Sequence, residues 1–284
     1  MKNLISAKEL ISKLKNNEDM VIIDCRFDFD ENYPETAYRE GHIKGAYFLD
    51  LNKDLSSPIE KHGGINPLPD SEVLAAKLEK MGIDNDTYVV AYDEGDLNGA
   101  AKVLYQFSYM GINNVDVLDG GLPSFKNAGG VLETEIPREN HSDKKIELRI
   151  DNNQIADMEY IKERLYDPNT IIVDSRSGKK YKGISEQAPG KAGHIPGAKN
   201  FCFVKSLKRS YEDGSYRSIE EVGEFLKYLI DNKDKDIILY CGSGIAACVN
   251  GLSLRQFDVP HKLYIGSFFD WISYDGNELV TGEE

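Results

Sequence analysis

The 284-residue sequence is poor in cysteine, in basic residues and in long apolar runs, and each shortage excludes a class of protein. Its four cysteines are spaced neither as CxxC pairs nor as a dense secreted framework, so we expect reduced thiols rather than disulfides or a zinc site. Lysine and arginine total 34 against 48 aspartate and glutamate residues, and the net charge of −14 disfavours nucleic acid and anionic membranes as partners. No stretch approaches the roughly 18 apolar residues of a membrane span and the N-terminus lacks a signal-peptide pattern, so we expect a cytoplasmic protein.

The sequence has enough apolar residues for a packed core and enough length for two domains. Hydrophobic residues make up 40% of the chain, which excludes disorder as its main state. Domains usually take roughly 100–200 residues each, so this length favours two of them.

Three blocks of the first half recur in the same order, each about 150 residues further along the chain. VIIDCR at 21–26 returns as IIVDSR at 171–176, GHIKGA at 41–46 as GHIPGA at 193–198, and YVVAYD at 88–93 as DIILYC at 236–241. The chain is therefore a tandem duplication. We expect one domain at 1–140 and a second at 141–284, joined within a polar stretch that begins at Pro137.

Each half alternates short apolar runs with helix signals. Capping pairs of serine and glutamate predict helix starts at Ser6 and Ser218, and further helices are predicted over 71–81 and 99–109. Continuous β-branched runs are typical of strands buried on both faces of a parallel sheet, and they occur at 21–23, 88–92, 171–173 and 237–240. Both domains are predicted to be α/β, each with a mostly parallel sheet and helices on both faces.

The strand that ends at Tyr240 runs directly into a thiol and a glycine-rich turn: Cys241, Gly242, Ser243, Gly244, Ile245 and Ala246. Ligands of open α/β sheets bind outside the carboxyl ends of the strands, which is where this thiol lies. The glycines let several N–H groups turn inward as an anion-binding nest, and the following helix adds partial positive charge. Both effects favour a thiolate, so Cys241 is the candidate nucleophile.

A free cysteine is more often a buried, inert residue, and the glycine-rich turn is what favours function for Cys241. The other three cysteines lack such a turn and are expected to be structural. At the equivalent turn the first half has Asp93, whose carboxylate is no soft nucleophile and would repel an anionic substrate. We therefore expect one active domain and one silent domain, and His42 and His194, common to both, are expected to hold the fold.

Four further motifs complete the pattern: NPLP at 66–69, VLDGG at 117–121, CGSGIA at 241–246 and YIGSFFDW at 264–271. With the repeated blocks, they make both halves resemble rhodanese domains and the whole chain resemble the tandem-domain sulfurtransferases. The resemblance implies that Cys241 attacks the outer sulfur of a small anionic donor, thiosulfate or 3-mercaptopyruvate. The resulting persulfide would pass its sulfur to cyanide or a thiol, which includes a thiol protein. No metal and no organic cofactor is implied.

The resemblance also implies substrate-binding residues. Residues 242–246 would cradle the persulfide through their N–H groups. Family members usually have arginine where this chain has Lys180, which supplies charge without the bidentate fork of a guanidinium. Arg176 is a second candidate, although its counterpart in the first half indicates a salt bridge. The second arginine of the mercaptopyruvate enzymes falls near Pro189, and Asn52 stands where those enzymes have aspartate, so the choice of donor stays open.

Two other functions remain as alternatives. A cysteine-dependent phosphatase or arsenate reductase also holds a thiolate in an anion cradle, but such sites want arginine six residues after the cysteine, where this chain has Ala247. The non-enzymatic alternative is a sulfur-carrier or binding module in which Cys241 accepts sulfur from a partner protein and passes it on.

Overall fold

The computed structural model describes residues 2–28, 33–140, 143–206 and 218–283. Internal contacts divide the chain into two units. The first unit contains Leu68–Asp151 and the described residues up to Ser57, and the second contains Pro58–Pro67 and the described residues from Asn152 onward. The boundary expected between residues 140 and 141 falls beside 141–142, which lie outside the described residues.

The first unit is built on a five-stranded parallel sheet with the strand order β1-β6-β5-β2-β4. These strands are β1 (Leu4–Ile5), β2 (Val21–Asp24), β4 (Tyr47–Phe48), β5 (Val89–Tyr92) and β6 (Val115–Leu118). Two short strands, β3 (His42–Ile43) and β7 (Leu132–Glu133), pair antiparallel. The helices are α1 (Ala7–Lys15), α2 (Tyr33–Glu40), α3 (Ser71–Glu79), α4 (Asn98–Tyr109) and α5 (Gly121–Asn127).

The second unit has a five-stranded parallel sheet with the order β8-β12-β11-β9-β10. Its strands are β8 (Ile155–Ala156), β9 (Thr170–Asp174), β10 (Lys199–Asn200), β11 (Asp236–Tyr240) and β12 (Lys262–Tyr264). Its α-helices are α6 (Met158–Lys162), α7 (Gly178–Tyr181), α8 (Ile219–Asp231), α9 (Ala246–Arg255) and α10 (Ser267–Trp271), with 3₁₀ turns at Asn152–Gln154 and Phe203–Ser206. Matching the repeated segments gives the same strand order as in the first unit, so the duplication extends to the topology.

The predicted strands and helices are present, and local chemistry accounts for where the helices begin. Ser218 and Glu221 form a reciprocal capping box at the start of α8, and Ser6 Oγ accepts the Glu9 N–H at 3.2 Å at the start of α1. After α3 the chain turns at Gly82, whose φ of 82° favours glycine.

Both faces of each sheet are covered, as a doubly packed parallel sheet requires. Adjacent strand residues point to opposite faces, and both Ile22 and Ile23 of β2 are buried. Ile22 belongs to a cluster that α1 and α5 complete, while α4 is buried along almost its whole length. In the second unit Ile172 packs in the cluster that contains Trp271, and Val173 is buried on the other face. The predicted α/β fold class is confirmed.

A buried ion pair fixes the carboxyl end of β9. Asp174 accepts hydrogen bonds from Nε and Nη2 of Arg176, and Nη2 also donates to the carbonyl of Gly193 at 2.8 Å. The Tyr240 hydroxyl donates to Asp174 at 2.8 Å and accepts the N–H of Ile195 at 3.1 Å. The pair therefore connects the ends of β9 and β11 to the GHIPGA turn.

The first unit repeats this network, and the repeated histidines pack on neighbouring tyrosines. Arg26 binds Asp24 and the carbonyl of Gly41 in the same way. His42 stacks on Tyr38 with ring centroids 4.1 Å apart, and the corresponding stack in the second unit is 3.7 Å. Both histidines therefore hold the fold.

We expect Asp174→Ala to lower the free energy of unfolding of the second unit by about 3–5 kcal/mol, because it leaves a buried guanidinium without its counterion. The only tryptophan, Trp271, is buried in this unit, so urea unfolding followed by tryptophan fluorescence measures the loss. Asp231→Ala breaks an exposed pair with Lys227 and should cost about 0.5 kcal/mol. Equal losses for the two variants would contradict this role of Asp174.

Candidate active site

Cys241 lies immediately after β11, the strand that pairs with β9 on one side and β12 on the other. Its side chain is buried, and the N–H of Gly244 donates to Sγ at 3.2 Å. The carbonyl of Cys241 accepts the N–H of Phe268 at 3.1 Å, which ties the loop to α10. The loop thus presents one backbone donor to the sulfur, where the glycine pattern predicted several.

Ser267 is a second support for the cysteine. Its Oγ accepts the N–H of Cys241 at 3.1 Å, lies 3.9 Å from Sγ and donates to the carbonyl of Tyr264. Sequence reasoning assigned it no role, although its backbone φ of 54° is unusual for serine and the first unit has Gly121 at this place with φ 56°. In the sequence, the available signal was the exchange of Gly121 for Ser267 between the two repeats.

Two glycines shape the loop. Gly244 has φ 78°, and a Cβ there would lie 2.2 Å from the carbonyl oxygen of Ile265. At Gly242 a Cβ would lie 3.2 Å from Nε2 of Gln187, so the amide of that side chain covers this glycine. The remaining predicted loop residues, Ser243, Ile245 and Ala246, lead from the turn into α9.

The two candidate cations have different surroundings. The guanidinium of Arg176 lies 3.9 Å from the ring centre of Phe268, next to the loop, and is bound by Asp174 as its repeat counterpart indicated. Lys180 is half-buried on the one-turn helix α7. Across the described ranges 2–28, 33–140, 143–206 and 218–283 its ammonium group has no ion pair.

A segment from the first half of the sequence, Pro58–Pro67, belongs to the second unit. The N–H of Gly63 donates to Asp270 at 2.7 Å, and His62 Nδ1 lies 2.7 Å from the hydroxyl of Ser273. Asp270 lies in α10, the helix that begins with the serine supporting Cys241. Sequence reasoning missed this contact, because it joins residues 207 positions apart and no local pattern encodes it.

The first unit has a carboxylate where the second has a thiol. Leu122 N donates to the carbonyl of Asp93 as Phe268 N does to that of Cys241. The Asp93 carboxylate accepts N–H bonds from its own loop, from Gly95 at 2.8 Å and Ala100 at 3.1 Å. Burial, and then the nearby Asp96, raise the pKa of Asp93 to about 7 against the lowering effect of these bonds. The backbone N–H groups at this loop therefore bind the side chain of Asp93 itself.

The other cysteines are placed as structural residues. Cys25 donates to the carbonyl of Tyr92 at 3.1 Å, and burial, followed by the nearby Asp93, raises the pKa of its thiol well above the usual range. Cys248 donates to the carbonyl of Gly244 at 3.4 Å. Cys202 is partly exposed and lies neither on the loop that carries Asp93 nor on the loop that carries Cys241.

Within the part of the chain that the structure describes, no group of histidine, cysteine and carboxylate side chains is arranged to hold a metal ion. Over the same residues, no helix has the length and apolar character needed to cross a membrane.

Two α/β units of one topology, with a cysteine on the glycine-rich loop of one alone, define a duplicated α/β protein with one candidate thiol site. The family model for the rhodanese-like domain matches residues 6–128 and 157–274. The "Probable 3-mercaptopyruvate sulfurtransferase" of Pseudomonas aeruginosa is 34% identical over 99% of this chain and 98% of its own length. The thiosulfate sulfurtransferase of Bos taurus is 31% identical over 82% of this chain and 78% of its own length.

The crystal structure of SseA from Escherichia coli, described as a 3-mercaptopyruvate sulfotransferase, superimposes with a TM-score of 0.77 at 25% identity. The superposition covers 94% of this chain and 99% of the SseA chain. The chain belongs to the rhodanese-like domain family, as a tandem-domain sulfurtransferase.

We expect Gly244→Ala to slow the reaction of Cys241 at least about tenfold, because the added Cβ meets a backbone oxygen and displaces the donor N–H from Sγ. The rate of Cys241 modification by a thiol reagent measures this. Gly276→Ala is the matched control, since Gly276 has φ 92° and open space around it. A Gly244→Ala rate equal to that of the control would contradict the role of this N–H.

We expect Asp93→Asn to remove a pH dependence of stability. The folded pKa of about 7 exceeds the ordinary value of about 3.9, so the unfolded chain loses this proton first. The contribution of Asp93 to the free energy of unfolding therefore falls as pH rises from about 4 to 7, and it is constant above pH 7.

Thermal melts between pH 4 and pH 8 check this, with Asp19→Asn, an exposed position, as the control. A melting temperature that falls equally for Asp93→Asn and the control would refute the buried titration.

Proposed function

We propose that the protein transfers a sulfane sulfur from thiosulfate or 3-mercaptopyruvate to cyanide or a thiol through a persulfide on Cys241. The observation that carries the proposal is the N–H of Gly244 donating to Sγ at 3.2 Å at the carboxyl end of the central strand. A donor fixed on the sulfur stabilises negative charge there, which a nucleophilic thiolate requires.

The proposed chemistry has two half-reactions. Thiolate Sγ attacks the outer sulfur of thiosulfate, an S–S bond forms, and sulfite leaves with the electrons of the old S–S bond. With 3-mercaptopyruvate, Sγ attacks the thiol sulfur, the C–S bond breaks, and the enolate of pyruvate leaves and takes up a proton. The acceptor then attacks the outer sulfur of the persulfide and returns Cys241 as thiolate.

In this proposal residues 242–246 cradle the outer sulfur with backbone N–H groups. The start of α9 at Ala246 supports the cradle, because a ten-residue helix directs its N-terminal amides and partial positive charge to this end. The first unit supports it as well, since the Asp93 carboxylate accepts the N–H of Gly95, whose counterpart in the second unit is Ser243. That unit is proposed to be catalytically silent.

Lys180 and Arg176 are proposed to attract the anionic donor. The Lys180 ammonium group is a point charge without the bidentate geometry of a guanidinium, so it attracts anionic donors without selecting among their shapes. Arg176 lies beside the loop and keeps its bond to Asp174 throughout. The net charge of −14 repels an anionic donor as it approaches the protein. These two cations supply local positive charge that opposes this repulsion.

We expect thiosulfate or 3-mercaptopyruvate to add one sulfur mass to Cys241, and Cys241→Ser to abolish both this adduct and thiocyanate formation from cyanide. Peptide mass spectrometry and a thiocyanate assay measure the two. Cys202→Ser and Cys248→Ser are matched controls that should keep both. Turnover by Cys241→Ser with either donor would overturn the mechanism, and loading by a protein persulfide alone would favour the sulfur-carrier alternative.

A further inference from the structure

The repeated arginines hold the same pose in the two units. Arg26 donates through Nε and Nη2 to Asp24 and through Nη2 to the carbonyl of Gly41. Arg176 makes the same bonds to Asp174 and Gly193. The third nitrogen, Nη1, therefore faces the same place in each unit.

What Nη1 meets differs between the units. Nη1 of Arg26 lies 3.3 Å from Oε1 of Glu94, the residue after Asp93. The counterpart of Glu94 is Gly242, the residue after Cys241, which has no side chain. Nη1 of Arg176 is buried and has no hydrogen-bond partner among the described residues, although the arginine is only 5% exposed. One unit thus has a carboxylate on this nitrogen, whereas the described residues of the other unit offer it no acceptor.

The side chain that covers Gly242 also has one unpaired atom. Nε2 of Gln187 lies 3.2 Å from where a Cβ of Gly242 would be, and its Oε1 is buried without a partner among the described residues. Gln187 comes from a short hairpin in which its N–H donates to the carbonyl of Lys191. Buried polar groups are rarely left unpaired, so the donor Nη1 of Arg176 indicates a missing acceptor. The unpaired Oε1 is an acceptor, so it indicates that this amide can turn and does not itself indicate an anion.

We infer that the space over Gly242 is the seat of the anionic head of the sulfur donor, where a carboxylate or sulfonate oxygen binds Nη1 of Arg176 after Gln187 moves aside. This deepens the proposed function, on which it rests. Gln187 turns its amide so that Nε2 donates to the same anion. In the first unit Glu94 occupies this seat itself, which gives a second reason for its silence.

The charges favour an anion over a neutral ligand. In the first unit one guanidinium is shared by two carboxylates, Asp24 and Glu94, so the fold accommodates a second negative group there. In the second unit the equivalent guanidinium has one carboxylate, and its Nη1 has no acceptor among the described residues. The seat lies over the residue next to the cysteine, so it suits compact donors.

The test compares Gln187→Glu with Gln154→Glu, which makes the same charge change on a 3₁₀ turn before β8. The probes are iodoacetate and iodoacetamide, with which the Cys241 thiolate displaces iodide and forms an S–C bond. Wild type should favour iodoacetate more than a free small thiol such as glutathione does. Gln187→Glu should lower that preference at least about tenfold, because the new carboxylate takes the seat as Glu94 does.

Gln154→Glu should keep the wild-type preference. An equal preference in the two variants, or a wild-type preference no greater than that of glutathione, would overturn the seat. Alkylation needs no sulfur transfer, so the two proposals fail separately. If the wild-type protein forms no persulfide but Gln187→Glu still loses the iodoacetate preference, the seat is supported and the proposed reaction is contradicted.

Discussion

The buried pair of Asp174 and Arg176 is the interaction on which the second unit depends. It joins the end of β9 to the carbonyl of Gly193, the first residue of the GHIPGA turn, and through the Tyr240 hydroxyl it reaches the end of β11. Cys241 is the next residue. Removing an ion pair from water costs free energy that further hydrogen bonds must offset, and here the tyrosine and the carbonyl supply such bonds. Nη1 of Arg176 is left without a partner among the described residues. The position of the thiol therefore follows from the network that holds this buried ion pair.

The loops after β5 and β11 have similar backbone bonds but carry different side chains, Asp93 in the first unit and Cys241 in the second. Each is tied to a later helix, α5 or α10, by the same N–H to carbonyl bond. In the first unit backbone amides bind the carboxylate of Asp93, and in the second the N–H of Gly244 reaches the sulfur of Cys241. The first unit thus has a carboxylate of its own where the proposed reaction has a substrate, and this contrast between the two units bears most directly on function.

Local patterns predicted most of the fold, because strand burial and helix caps are encoded by residues close together along the chain, and the repeat by short blocks of consecutive residues. The candidate thiol and its glycine turn were predictable for the same reason, since they occupy consecutive positions. The supports of the site were not. The segment Pro58–Pro67 meets α10 across more than two hundred residues, and Gln187 reaches Gly242 from another loop. Tertiary packing decides such contacts, and no periodicity of the sequence carries them.

The proposed reaction requires sulfur to stay on Cys241 between two separate half-reactions. To test this, the protein is loaded with thiosulfate, the free donor is removed by gel filtration, and cyanide is then added. We expect thiocyanate in an amount equal to the loaded protein, with loss of the extra sulfur mass from the Cys241 peptide. Thiocyanate that forms only while donor and cyanide are present together, or a sulfur mass on a different cysteine, would contradict it.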